Sequence, residues 1–555
     1  MEPRKVTRQG AVENRFKLGN EPLQHQLDPF LRDYKTPAEK IGAVQAALES
    51  EGGKFWREEL GKWTARVVPV ELLVPEVHRK WRPLVHEAML FVVSKLSASR
   101  LAPKVVEQMG LAANTPSEVR LLRFIAKVPG LQKIGQMVAR NRELDRRLRR
   151  ALIKLENGIS DVSLEEVHAI IRRELESEIK TYEVRLESKM LSEASVSAVV
   201  GFSWRNPKSG RRERGVFKVL KPHIPSCYAE DMRILRDLAR HLVHKHRTVG
   251  MHLGGVAETL AEIQVLLSHE VDFPREQATL SSALKAYRSI RGVRVPHLLP
   301  ELSKTTITAL TREKGTKVTE AVIRPAKLQA SVAERLAEAL LAVPVLAAEK
   351  EAIFHADPHA GNILYDKRKN ELVILDWALT ERLTLEQRKN VFLLVLMLIL
   401  RDADGLSSAI ERLCMRSAKN QWTRRVIRQH VAGLLDKLPL TKWPGAMDAM
   451  RLLDEIAMDG VHFPRALLMF RKASFTLEGV LEDIAGSRVR IDSVIAGYAL
   501  AHCGDTAARL FSMLSLGDLM ALDWSALTLT SRVVGRELVR QWQAIPSLSP
   551  SAESA

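Results

Sequence analysis

Residues 353–377 read I-F-H-A-D-P-H-A-G-N-I-L-Y-D-K-R-K-N-E-L-V-I-L-D-W, and their spacing decides the fold. Asp357 is followed five residues later by Asn362, and Asp376 comes fourteen residues after that. Between them lie an apolar triplet (Ile363, Leu364, Tyr365), a charged turn (Asp366 to Asn370) and an apolar run (Leu372 to Leu375). The pattern predicts a loop, a short strand, a hairpin turn and a second strand. Such a hairpin returns the chain, so Asp376 is expected beside Asn362. An amide oxygen and a carboxylate so placed suit Mg²⁺, a hard cation that takes oxygen ligands and keeps several waters. Asp357 adds a carboxylate that accepts a proton from a nucleophile or orients it, as phosphoryl transfer from ATP requires.

This stretch resembles the catalytic loop and metal-binding Asp of protein-kinase-like folds, with Trp377 and Ala378 where protein kinases carry Phe and Gly. His355 and His359 flank Asp357, but no further His or Cys pattern nearby completes a metal site. They are read as structural, hydrogen-bonding histidines.

The chain has 555 residues, a length that suggests roughly three to four domains. It is 46% hydrophobic and 27% charged, enough for a large core, and its 5% aromatic content with abundant Leu, Ala and Arg favours helices. A net charge of +18 points to anionic partners: nucleotide phosphates, an anionic membrane surface or nucleic acid. Basic clusters recur at 140–154, 205–214 and 424–428. Most of these side chains are read as solvated helix faces, and no nucleic-acid motif or aromatic-basic stacking surface is visible. Cys227, Cys414 and Cys503 lie far apart and form neither a metal spacing nor a disulfide framework, so a reducing compartment is expected. Glu2 and Glu13 stand in an N-terminus with no apolar core, unlike a secretory signal. The longest apolar run, Val391–Leu400, is half of what a membrane span needs and is read as a buried helix. The expected location is cytoplasmic, with peripheral membrane contact at most.

Along the chain, residues 1–40 read as a polar arm and 41–125 as helical, including Glu71–Leu90 and Leu96–Leu111. Asn114 to Glu118 has the composition of a helix cap, and a basic helix is expected from about Leu131 to Leu155. Ser163 and Glu166 form a capping box ahead of another helix. Ala194–Phe202 and Arg214–Leu220 flank a turn at Asn206–Gly210 and predict a hairpin. Its second strand sets Lys218 among apolar residues, where a lysine snorkels or is held by an acid. Glu270 and Asp272 are placed at the entrance of a following helix and Glu276 within it, with Glu276 the candidate partner of Lys218. Val295–Leu302 and Thr305–Leu310 read as strands, Glu313–Gly315 as a turn, Val318–Leu346 as helix, and nearly all of Leu385–Gln543 as helix.

Together these pieces resemble the UbiB/ADCK family of atypical kinase-like ATPases over roughly residues 125–385. The family's K-x-G-Q signature matches Lys133–Gln136, its strand lysine matches Lys218, and its E-x-D motif matches Glu270 and Asp272. Its helix Glu matches Glu276, its H-A-D-P-H-x-G-N loop matches His355–Asn362, and its metal-binding Asp matches Asp376. The resemblance implies that Lys218 contacts ATP phosphates, fixed by Glu276, that Asn362 and Asp376 hold Mg²⁺, and that Asp357 is the catalytic carboxylate. It implies that Lys133 and Gln136 lie on an extension folded over the active site near Glu270 and Asp272. It also implies an Ala-rich nucleotide loop at Ala194, Ser195 and Val196, with Ala198 where the family has Gln, and a hinge position at Thr311 where the family often has Glu. The activity implied is ATP hydrolysis supporting isoprenoid-quinone or lipid metabolism near a membrane.

The expected fold is helix-rich α+β, a bilobal protein-kinase-like core with N-terminal and C-terminal helical extensions and ATP between the lobes. The expected divisions are an arm (1–40), an N-terminal helical region (41–125), the extension with the Lys133 signature (126–185), a small lobe (186–310), a large lobe (311–430), a C-terminal helical region (431–545) and a disordered tail (546–555). Expected partners are a nucleotide, an anionic membrane surface or isoprenoid lipid, and a protein reached through the terminal helices. Two other readings stand beside this one. Aminoglycoside- and choline-kinase-like phosphotransferases share H-x-D-x-x-x-x-N and an Asp-Trp pair but lack the upstream K-x-G-Q and E-x-D signatures. A scaffold binding ATP as a regulatory switch fits the extra helices but does not need intact metal ligands.

Overall fold

The computed structural model describes residues 31–112, 114–139, 144–153, 161–245, 254–288, 290–415, 420–439, 443–501 and 520. Most of the expected arm, part of the basic cluster at 140–154, Cys503 and the expected tail lie outside the described residues. The fold is helix-rich α+β with small sheets. It divides into two compact units, Met1–Pro274 with Leu298–Arg312, and Arg275–His297 with Glu313–Ala555.

The first unit opens with α1 (Pro37–Glu49), α2 (Gly53–Val67), α3 (Val70–Leu73), α4 (Arg82–Lys95), α5 (Ala98–Met109), α6 (Ser117–Ile125), α7 (Pro129–Ala139) and α8 (Arg146–Ile153). Three sequence expectations are corrected here. The helix expected over Glu71–Leu90 is broken, because Pro75 ends α3's path and a 3₁₀ turn at Glu76–Trp81 precedes α4. The expected cap at 114–118 is not made by a side chain: Pro116 holds the N-cap position of α6. The basic helix is two, α7 and α8, rather than one.

Next come α9 (Leu164–Glu174), started by the predicted Ser163–Glu166 capping box, and α10 (Glu176–Thr181). They lead into an antiparallel sheet of β1 (Arg185–Glu193), β2 (Ser197–Arg205), β3 (Arg212–Leu220) and β5 (Ile307–Thr311), in that order. The predicted hairpin is β2–β3. Alternation sets one face of the sheet: Ala198, Val200, Phe202, Trp204, Phe217, Val219, Ile307 and Ala309 are buried with Val167, Ile170 and Ile171 of α9. Phe202 and Phe217 stack at 3.9 Å between ring centroids. Gly215 faces Phe202 across the strands, and a Cβ there would lie 2.3 Å from the ring. The sheet is followed by α11 (Ile224–Lys245), α12 (Gly254–Val271) and the start of α13 (Phe273–Tyr287), whose residues from Arg275 on belong to the second unit.

The second unit holds a sheet ordered β4 (Val293–Arg294), β9 (Glu371–Ile374), β8 (Ile363–Asp366), β6 (Thr316–Lys317), and an antiparallel pair of β7 (Glu351–His355) and β10 (Thr380–Thr384). The strand expected at Val295–Leu302 is absent: β4 stops at Arg294, and Pro296 and Pro300 remove ladder donors. The helix expected from Val318 begins only at Ala326, after Pro325. It runs as α14 (Ala326–Ala337), a π turn at Glu338–Ala342 and α15 (Val343–Leu346). Among the described residues helices α16 (Leu385–Leu400), α17 (Ala403–Leu413), α18 (Gln421–Lys437), α19 (Ala446–Met458), α20 (Arg465–Ala485) and α21 (Ile491–Ala501) follow. The apolar run at Val391–Leu400 lies in α16, where Val391, Leu393, Leu394, Met397 and Leu398 are buried. Among the described residues no helix is long and apolar enough to cross a membrane.

Candidate functional site

In the second unit the hairpin forms as read. Ile363 pairs with Ile374, Leu364 with Val373, Tyr365 with Leu372 and Asp366 with Glu371. Asp366 anchors the turn by accepting from the Arg368 and Lys369 N–H groups at 3.0 and 3.4 Å, and Tyr365 Oη donates to Asn370 Oδ1 at 3.0 Å. One bond past the ladder, Leu375 N–H donates to the Asn362 carbonyl at 2.7 Å. Asn362 and Asp376 therefore leave the hairpin at the same end. Asp376 adopts a left-handed φ of 51°, a conformation that Asp and Asn tolerate better than most residues.

Asp357 is held on the loop before β8. Its N–H donates to His355 Nδ1 at 3.2 Å, and its carbonyl accepts from the His359 N–H at 2.8 Å and from Asn362 Nδ2 at 3.2 Å. His355 Nε2 in turn meets the Leu375 carbonyl at 3.0 Å. An acceptor Nδ1 and a donor Nε2 define a neutral imidazole, and burial pushes the His355 pKa down, in keeping with that state. His359 caps the 3₁₀ turn Ala360–Asn362 by accepting from the Gly361 N–H at 3.0 Å. Both histidines thus shape the loop. Trp377 is buried, donates to the Ile374 carbonyl at 3.1 Å, and packs edge-on against His355 and Tyr287 at 5.1 and 5.2 Å. It supports the loop where protein kinases use Phe.

This donor set fits Mg²⁺. The Asn362 amide N–H is spent on the Asp357 carbonyl, which leaves the amide oxygen as a neutral ligand, and Asp376 supplies a carboxylate. Two protein oxygens suit a cation that keeps most of its waters and takes the rest of its ligands from phosphates. When bound, such an ion neutralises phosphate charge. The chain itself contributes Asp357, whose backbone N–H is anchored to His355 and whose side chain is 20% exposed.

In the first unit, Lys218 lies on β3 between Val199 of β2 and Thr308 of β5. Because Phe217 and Val219 face the core, alternation turns Lys218 to the opposite face, where Nζ stands 5.7 Å from the centroid of the Phe273 ring. Thr311 closes β5 opposite Gly215. Ser195 and Val196 are buried in the β1–β2 turn, and Ala194 N–H donates to the Ser197 carbonyl at 2.7 Å. Lys133 on α7 forms an ion pair with Glu270, whose other oxygen accepts from Ser195 Oγ at 3.1 Å. One carboxylate thus joins the extension to the turn. Gln136, three residues on, shares the α7 face of Lys133. Glu270 ends α12 rather than opening α13, and Asp272 sits between the two helices. Glu276 is buried in the first turn of α13 and belongs to the second unit.

Sequence reasoning missed a third cluster. Lys221, immediately after β3, is buried between Asp161 at 2.7 Å and Glu193 at 2.8 Å. The Asp161 N–H donates to Glu193 at 2.9 Å, and the Lys221 N–H donates to the Val196 carbonyl at 3.0 Å. These contacts pin both ends of the turn that carries Ser195. The only sequence signal was a lysine between an apolar strand and Pro222.

Residues 154–410 match the ABC1 atypical kinase-like domain. The chain is 24% identical over 302 residues to "Probable protein kinase UbiB" of Xylella fastidiosa (strain M23), covering 53% of this chain and 51% of that protein. It is 24% identical over 361 residues to "Protein ACTIVITY OF BC1 COMPLEX KINASE 7, chloroplastic" of Arabidopsis thaliana, covering 63% and 50%. A UbiB of Xanthomonas oryzae pv. oryzae is 28% identical over 268 residues, 47% of each chain. The chain spans about half the length of the curated relatives it matches. Rv3197 of Mycobacterium tuberculosis, solved as a complex with erythromycin, has a TM-score of 0.41 and 16% identity over 64% of this chain and 87% of that one, a likeness too slight to carry an argument. Residues 154–410 therefore match an ABC1 atypical kinase-like domain, and over about that stretch the chain is similar to proteins of the UbiB/ADCK family.

Proposed function

We propose that the chain is a Mg²⁺-ATP-dependent ATPase of the UbiB/ADCK type that supports isoprenoid-quinone or lipid metabolism near a membrane. The observation that carries the nucleotide part is the β8–β9 hairpin, which brings Asn362 and Asp376 to one end with Asp357 on the adjoining loop. Asn362 and Asp376 hold the ion, Asp357 orients or deprotonates the attacking group, and Lys218 meets phosphate charge. Ala194, Ser195 and Val196 form the nucleotide turn and Thr311 the hinge position. The Lys133–Glu270–Ser195 linkage supports the UbiB type over a small-molecule kinase, because it joins the extension to that turn. An anionic membrane surface or isoprenoid lipid, and a protein partner, remain part of this proposal.

The test is Mg²⁺-dependent binding and turnover of ATP by the purified chain, with and without anionic liposomes, beside Asp376→Asn. Hydrolysis stimulated by liposomes and lost in the variant is expected. Stoichiometric transfer of the γ-phosphate to a hydroxyl compound would instead make it a phosphotransferase, and no nucleotide binding would end the reading.

A further inference from the structure

A cavity of about 1100 Å³ opens in the first unit among α5, α6, the start of α9 and the start of α11. Most of its wall lies before residue 154, ahead of the matched kinase-like domain. Its carboxylates are engaged: Asp161 with Lys221, Glu230 with Arg100 and Ser97, and Glu107 with Arg123. Lys104 of α5 differs. Only 7% of it is exposed, yet among the described residues its ammonium donates to the Ala126 carbonyl alone and stands 5.8 Å from the centroid of the Phe124 ring.

Buried cations are ordinarily paired with carboxylates. Lys221, Arg100 and Lys133 in this unit obey that rule. Among the described residues Arg120 has no such partner, but it is cradled by three carbonyls, those of Thr115, Gln108 and Ala112. Lys104 has three N–H donors and one carbonyl. Burial holds its pKa down at about 8, with Glu107 opposing and Arg100 reinforcing that shift. His223 lines the same cavity, and its buried Nε2 has no hydrogen-bond partner among the described residues. Burial lowers its pKa to about 4, so the ring is neutral near pH 7. Pro103, Val119, Leu122 and Val162 supply apolar wall between these polar groups.

We propose that this cavity binds a small organic anion, a phosphate ester or carboxylate with an apolar tail, whose anionic group completes the pairing of Lys104. The apolar wall takes the tail, and neutral His223 adds a hydrogen bond. The anion comes either from a free metabolite or from an acidic lipid. Nothing in this inference depends on ATP turnover.

The experiment uses the full chain with octyl phosphate, inorganic phosphate, and phosphatidylcholine vesicles with and without phosphatidic acid. Acetylation of Lys104 by acetic anhydride is followed by peptide mass spectrometry, and binding by calorimetry. Octyl phosphate should slow modification of Lys104 by about tenfold or more, and Lys104→Met should weaken its binding about ten- to hundredfold, as expected for loss of a charge-assisted bond. Inorganic phosphate, lacking a tail, should bind more weakly than octyl phosphate. Protection by phosphatidic acid vesicles but not by octyl phosphate would assign the same site to a lipid headgroup. Unchanged modification of Lys104 under saturating octyl phosphate and under phosphatidic acid vesicles overturns the proposal. That measurement needs no variant, so it stands even if Lys104→Met fails to fold.

Discussion

The candidate clusters of the two units are held in place in opposite ways. In the second unit the loop and hairpin are tied by short-range bonds: Asn362 to Asp357, Asp357 to His355, and His355 to Leu375, none spanning more than 20 residues. In the first unit the ties are ion pairs between distant segments, with Lys133 and Glu270 137 residues apart and Lys221 and Asp161 60 apart. A locally tied loop can form as soon as its own segment folds. A site tied by distant charges exists only when several elements have packed, and its buried charges become liabilities if a partner is lost. Damage to the first unit should therefore appear as lost stability, and damage to the second as lost chemistry.

The largest effect should come from Lys221→Met. Asp161 and Glu193 are then left buried without their cation, and a destabilisation of about 3–5 kcal/mol is expected. Two compact units need not unfold together. Hydrogen exchange at β2 and β3 amides is the suitable readout, compared with amides of β8 and β9. Equal loss of protection in both units would break the contrast.

Asp376→Asn should do the reverse. Asn tolerates the left-handed backbone at this position, so folding should change little, while Mg²⁺-dependent turnover should fall by roughly a hundredfold or more. A variant that hydrolyses ATP at the parent rate would remove Asp376 from the metal site. Smaller again is the Lys133–Glu270 linkage. A cycle of Lys133→Met, Glu270→Gln and the double variant should return a coupling of about 1–3 kcal/mol in stability. A coupling near zero would mean that the extension is held by apolar packing of α7 alone.

The same difference explains what the sequence disclosed. The His355–Asp376 segment was legible because its determinants are neighbours: alternation, a charged turn and fixed spacings dictate the hairpin and its ends. The β2–β3 hairpin and the Ser163 capping box were legible for the same reason. The proline-rich stretch at 295–302 misled, since β-branched and apolar residues suggest a strand while two prolines cannot donate to one. The Lys221 cluster was not legible at all. Its partners lie 60 and 28 residues upstream, and nothing in local pattern tells a lysine that ends a strand in solvent from one sealed between two acids. Glu270 was placed at a helix entrance, but Asp272 separates two helices and leaves Glu270 at the end of the first.

The smallest expected effect tests the local wiring through pH. His355 is neutral in the folded chain because burial lowers its pKa, opposed in part by its bond to Leu375 and by the nearby Asp357 and Asp376. In the unfolded chain its pKa is near 6.5. Below that value the unfolded chain takes up a proton that the folded loop refuses, so stability falls as pH drops from about 6.5 toward the depressed folded pKa. One such proton contributes at most about 1.4 kcal/mol per pH unit. His223 in the first unit, lowered to about 4, should give its own acid limb. The probe must therefore be local: exchange of the Asp357 and Leu375 amides, which the His355 ring organises directly and through the facing carbonyl. His355→Gln should flatten the acid dependence of these amides and leave that of α9 and α11 intact. If both units flatten together, the histidine acts through global stability and the loop is not the independent local device that its hydrogen bonds describe.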